Sequence, residues 1–280
     1  MYIFNNEHCA KERDKCGRAN SEGTDVDILA LSILSNTPYY YLLTAYYNID
    51  WWAAAAALAI DVSAITIPFA LLRPMNQAHV PTESSITRSL GRAVTRDPFV
   101  TGPVMLLGTA IYTLTVYSSF YTWLPTYLIK YFDGIRTIRF SYIYGDQNYD
   151  VLGLLYIFVL LQPLGWASLQ FLFMPALRAK NSLVDALKPL TEARAFDGET
   201  ASFAQTLAYN MGFGEKGFSH RTEVLTKRTT VLALCTFVNT VVRVFGSIEG
   251  TEIVGSLGWA SVWLVASVLV GTTFGLVGGE

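Results

Sequence analysis

The stretch that decides the fold is Trp51–Leu72, WWAAAAALAIDVSAITIPFALL, in which Asp61 is the one charged residue. A helix rises ~1.5 Å per residue, so this stretch would be ~33 Å long, enough to cross a hydrocarbon layer of ~30 Å. Buried helices of soluble proteins are usually shorter. Working outward, five further stretches have the same character: 28–47, 99–121, 151–173, 229–247 and 253–277. The fold expected is therefore all-α, a polytopic membrane protein with six transmembrane helices. Residues 1–27 form a cytosolic segment and residues 28–277 a membrane domain, with a long cytosolic connection at 174–228.

Composition agrees. Of 280 residues, 52% are apolar and 15% charged, against about 25% charged in soluble domains. The net charge of −2 provides no basic field for nucleic acid, so none is expected as a partner. Three cysteines, Cys9, Cys16 and Cys235, make no disulfide framework. The first 27 residues lack an apolar core and mix cations with acids, which fits neither a cleavable signal peptide nor a mitochondrial presequence. The first span is read as an uncleaved signal anchor, and the expected location is an endomembrane of the secretory pathway.

Orientation follows from Lys and Arg in the connections. Sixteen lie in the amino-terminal segment and the second and fourth connections; three, Lys130, Arg136 and Arg139, lie in the others. Both termini are therefore expected in the cytosol.

Two amphipathic helices are expected at the interfaces. Leu124, Leu128, Ile129 and Phe132 mark one on the outer side, read as lying against lipid. On the inner side, Ile86, Leu90 and Val94 oppose Arg88, Arg92 and Arg96, each set spaced by four. These arginines are the candidate contact for anionic lipid. The 174–228 connection is too long for a bare loop. Two short helices, around Asn181 to Arg194 and Phe203 to Met211, a flexible run at Gly212, Gly214 and Gly217, and a capping Ser219 are expected there. This piece is the expected docking surface for membrane or cytosolic protein partners.

Enzyme signatures are sparse. His8, His79 and His220 have no ligand partner at helical spacing, and no phosphate loop, dinucleotide fingerprint or nucleophile elbow is present. No cofactor or metal is expected. The chemistry lies inside the spans. Asn36, Asp61, Gln162 and Asn239 each fall ~12–17 Å from an entry face, one per helix, near the midplane. A charge at that depth costs about 2.5–3.5 kcal/mol on insertion scales, so Asp61 needs a partner, and Arg243 is placed to reach it. Pro38 and Pro163 stand beside Asn36 and Gln162, and polar groups at broken helices are a pattern of transporter sites. The plainer reading is interhelical glue, at ~0.6 kcal/mol per contact. Gly271 and Gly275 have the spacing of a close-packing face, within the chain or in a homo-oligomer.

Three functions compete. The first is a non-catalytic membrane component that docks partners through 174–228. The second is a solute or ion transporter or channel using the polar layer around Asp61. The third is a lipid-modifying enzyme with Asp61 as acid or base. The balance leans away from an enzyme.

Overall fold

The computed structural model describes residues 4–72, 98–136, 150–180, 202, 206, 213, 214 and 217–277. Its principal helices are α1 (Phe4–Ala45), α2 (Trp51–Leu72), α3 (Pro98–Thr122), α4 (Leu124–Tyr131), α5 (Asp150–Leu160), α6 (Gln162–Ser168), α7 (Met174–Lys180), α8 (His220–Ser247) and α9 (Ile253–Val277). A π-helical segment, Leu169–Phe173, joins α6 to α7. The one described sheet is the antiparallel pairing of Phe213–Gly214 with Gly217–Phe218. The glycine run expected to be flexible thus contains a small hairpin.

Four helices are long and apolar enough to cross a membrane: α2, α3, α8 and α9. A fifth span forms if the pair 153–160 and 162–177, bent by 44° at Leu161, is counted as one. The stretch 28–47 is not in that group. Asn36, Thr37, Pro38 and three successive tyrosines dilute its hydropathy. Its packing explains why the fold tolerates them: Ala30, Ser32, Leu34, Asn36, Tyr41, Leu42 and Tyr46 are all buried among other helices.

α1 is the central post. It packs on α2, α6 and α8. Its lower half meets the aromatic core, where Tyr41 stacks on Trp259 at 6.2 Å and lies edge-on to Trp263. Trp259 Nε1 donates to the Pro38 carbonyl at 3.1 Å. Such pairs contribute about 0.5–1.5 kcal/mol beyond their area. The helix that decided the fold is the peripheral one: 11% of the apolar window of α2 is buried, against 50% for α9. Exposed Ile60, Ile67 and Leu71 on α2, and Leu234, Val238 and Val242 on α8, are apolar faces suited to lipid contact.

Small residues set two close crossings. A Cβ on Gly165 of α6 would strike Thr109 and the Met105 carbonyl of α3. A Cβ on Gly271 of α9 would strike Thr229 of α8. The glycine face considered for an oligomer is therefore filled from within the chain at Gly271, and Gly275 faces Leu225 of the same α8.

At one end, three connections tie together. Arg136 N donates to the Tyr46 carbonyl at 3.0 Å, Glu252 N to Tyr131 O at 3.1 Å, and Asp133 N to Gly250 O at 3.3 Å. Tyr47 Oη donates to Asp133 O. α4 is the helix expected on this side, but it packs on the bundle. Leu124, Leu128 and Phe132 are buried, and Tyr127 Oη donates to the Val254 carbonyl of α9. Ile129, expected on the same face, is exposed. The buried stripe is the spacing of four through 124, 128 and 132, and Ile129 sits ~100° away from Leu128 on the helix.

Two expected ends move. α7 carries helix to Lys180 and α8 begins at His220, so both helices extend past the hydrophobic stretches into the 174–228 connection. Ser219 occupies the N-cap position of α8 without a side-chain cap bond. The Arg88, Arg92 and Arg96 helix and the helices expected around Asn181 to Arg194 and Phe203 to Met211 lie outside the described residues, apart from Thr206, whose N bonds the Ser202 carbonyl at 2.9 Å.

Candidate functional site

The polar residues of the spans meet along the seam between α1 and α8, with α2 joining at one end. Asn239 Nδ2 donates to Asn36 Oδ1 and to the Ser35 carbonyl, both at 2.8 Å. Pro38 has no N–H and disrupts the hydrogen-bond ladder in the turn before it, and Ser35 lies in that turn. Asn36 Nδ2 in turn donates to Ser32 O at 2.9 Å. One turn further along, Arg243 of α8 pairs with Asp61 of α2 through Nη1 and Oδ2. Tyr40 Oη donates to the same carboxylate oxygen at 2.6 Å. The Arg243 guanidinium lies 5.8 Å from the Tyr39 ring centre, a cation–π approach.

The structure therefore brings Asn36 to Asn239 and Asp61 to Arg243. Tyr40 is the member that sequence reading missed. No signal singled it out, because Tyr39, Tyr40 and Tyr41 follow one another in the same stretch.

Gln162 stands apart. It is half-buried at the start of α6, beside Pro163 and the break at Leu161, and its side chain makes no hydrogen bond among the described residues. Similar depth did not bring it to the seam, because depth leaves the direction around the helix axis open.

A second polar knot lies at the other end of α1 and α8. Arg228 Nη2 bonds Asp27 Oδ2 at 2.8 Å, and Nη1 bonds the Phe171 carbonyl at 3.1 Å. Phe171 sits in the π-helical segment, where the usual carbonyl partners are displaced. Nearby, buried Arg221 donates to Phe274 O at 2.9 Å and Gly275 O at 3.1 Å. A cation at the carbonyl end of α9 complements its dipole. In the sequence both arginines read as positive-inside charges.

A cleft of about 480 Å³ opens beside the seam. α1, the α1–α2 turn, the first half of α2 and the break between α5 and α6 form its walls. Its lining is largely apolar, with Thr37, Thr44, Asn48, Asp50 and the tyrosines Tyr40, Tyr41 and Tyr156 as members that carry polar groups. Asp61, Arg243, Asn36 and Asn239 are not in the lining. Among the described residues no group of three or more His, Cys, Asp and Glu side chains is placed to hold a metal. No protein-family profile matches this chain, and no curated protein or solved structure matches it either.

Proposed function

We propose that this protein is a non-catalytic membrane component: a six-span bundle that docks partners through its 174–228 connection. The apolar helices make it an integral membrane protein. One observation carries the finer reading: the strong polar groups of the α1–α8 seam are spent on one another, Asp61 on Arg243 and Tyr40, and Asn36 on Asn239. That is the arrangement of interhelical glue rather than of an acid or base aimed into a cavity.

The pairing order supports a sixth span. Asp27, Asn36 and Tyr39 follow one another along α1, and the residues that meet them, Arg228, Asn239 and Arg243, follow in the same direction along α8. The two helices are parallel over ~20 Å. If α8 crosses the bilayer, α1 crosses beside it in the same sense. With the positive-inside bias, both termini and the 174–228 connection then face the cytosol, in an endomembrane.

The transport reading draws support from the 44° break beside Pro163, which adjoins the cleft. The largely apolar lining and the exclusion of Asp61 from it favour the first reading. The test compares two measurements on the full chain. Crosslinking in cells should capture a partner that disappears when residues 181–212 are replaced by a Gly-Ser linker of equal length. Proteoliposomes should show no proton-coupled flux sensitive to Asp61→Asn. A flux abolished by that substitution in a folded protein would transfer the assignment to transport.

A further inference from the structure

The cleft has an address and a chemistry that the seam does not. It lies at the end of the bundle that carries the Asn48–Asp50 turn, between α1, α2 and the α5–α6 break. Along α1 it runs from Thr37 to Asn48, ~16 Å, about half of a ~30 Å hydrocarbon layer. It is thus one leaflet deep. Ala55 on one wall and Leu160 on the other are exposed, so the cleft opens sideways, toward lipid. Its volume falls within the ≈300–1,000 Å³ common for small-ligand sites.

The polar members define the headgroup. Among the described residues no Lys or Arg lines the cleft, so none of them offers a cation to a phosphate. The threonine hydroxyl protons are already committed inside the protein. Thr37 Oγ1 donates to Ile33 O at 2.6 Å, and Thr44 Oγ1 donates to the Tyr40 and Tyr41 carbonyls at 3.1 Å. What these oxygens retain is acceptor capacity. The carboxylate of Asp50, exposed at the mouth, adds a further acceptor. Asn48, Tyr41 and Tyr156 add side chains that can donate, so the site matches a ligand that offers a hydroxyl beside ester carbonyls and carries no negative charge.

We propose that this cleft binds a neutral glycerolipid with a free hydroxyl, one acyl chain lodged along α2 and the hydroxyl turned to the threonine oxygens. The proposal rests on the membrane reading above and adds a ligand to it. The test uses the full chain in nanodiscs with two probes that carry the same diazirine-bearing tail, a diacylglycerol and a phosphatidylcholine. The diacylglycerol probe should crosslink within 37–58 and 156–164, be competed by unlabelled diacylglycerol, and label at least fivefold more than the phosphatidylcholine probe. Ala55→Trp, which fills the cleft, should cut this labelling at least fivefold, while Ala59→Trp, on the exposed face outside the lining, should not. Mapping on the unsubstituted chain keeps the test decisive even if Ala55→Trp does not fold. Equal labelling by both probes, or adducts spread over the exposed faces of α2 and α8, would overturn the lipid site alone. No labelling of those exposed faces by either probe would overturn the membrane reading as well.

Discussion

Neutralising one member of the Asp61–Arg243 pair leaves the other charged on a helix that faces lipid. Each side chain is 28% exposed, so the pair is shielded but not sealed. Breaking a fully buried pair costs about 3–5 kcal/mol. A lone charge at the centre of a spanning helix costs about 2.5–3.5 kcal/mol on insertion scales. With the partial exposure and the remaining Tyr40 hydrogen bond to Asp61, we expect Arg243→Gln to destabilise by about 2–3 kcal/mol. Asp61→Asn should cost a similar amount, because Arg243 then retains only the ring of Tyr39 and the Tyr40 hydroxyl nearby. The double variant strands no charge and should lose less than the sum by at least about 1.5 kcal/mol, well beyond the ~0.3–0.5 kcal/mol within which independent sites add. The assay is reversible unfolding in mixed micelles, followed by helical circular dichroism for the four proteins of the cycle. Losses that add would refute the argument that the two charges exist to satisfy each other.

Three further outcomes follow from the packing. Asn239→Ala should destabilise more than Asn36→Ala in the same assay, because both bonds of Asn239 cross from α8 to α1 whereas one of the two made by Asn36 stays within α1; the scale expected is about 0.6–1.7 kcal/mol per interhelical contact. Gly165→Ala should lower the thermal midpoint measurably, since its Cβ would meet Thr109 and the Met105 carbonyl, whereas Gly102→Ala on the same α3–α6 pair meets nothing within 4 Å and should be silent. Arg221→Gln removes charge-assisted bonds to the last turn of α9, each worth about 1.5–3 kcal/mol, and should raise hydrogen exchange in 271–277 before it affects the centre of that helix.

Apolar run length alone placed helices at 51–72, 99–121 and 253–277, close to the observed Trp51–Leu72, Pro98–Thr122 and Ile253–Val277. It was legible because lipid imposes one requirement, an unbroken apolar helix of set length. The weak point was 28–47. A helix enclosed by protein need not look apolar, and Asn36, Pro38 and the tyrosines there answer to neighbours rather than to lipid. The Asp61–Arg243 meeting could be anticipated from the cost of a lone charge. Tyr40 could not, because a tyrosine in a span reads equally as core or interface. Gln162 shows the converse limit: composition and depth matched the other polar residues, but the turn at Leu161 points its helix elsewhere. Arg228 and Asp27 were hidden by their position at the helix ends, where charges usually serve topology. The cleft was invisible, since it depends on how α2 stands away from the α5–α6 break.

A six-span bundle requires α1 to cross the bilayer parallel to α8. The most direct measurement is single-cysteine labelling by a membrane-impermeant maleimide, in a background lacking Cys9, Cys16 and Cys235. Asn48→Cys, in the α1–α2 turn, and Gln147→Cys should react only from the non-cytosolic side, and Phe203→Cys only from the cytosolic side. Labelling of Asn48→Cys and Phe203→Cys from the same face would contradict the crossing of α1 and with it the six-span bundle.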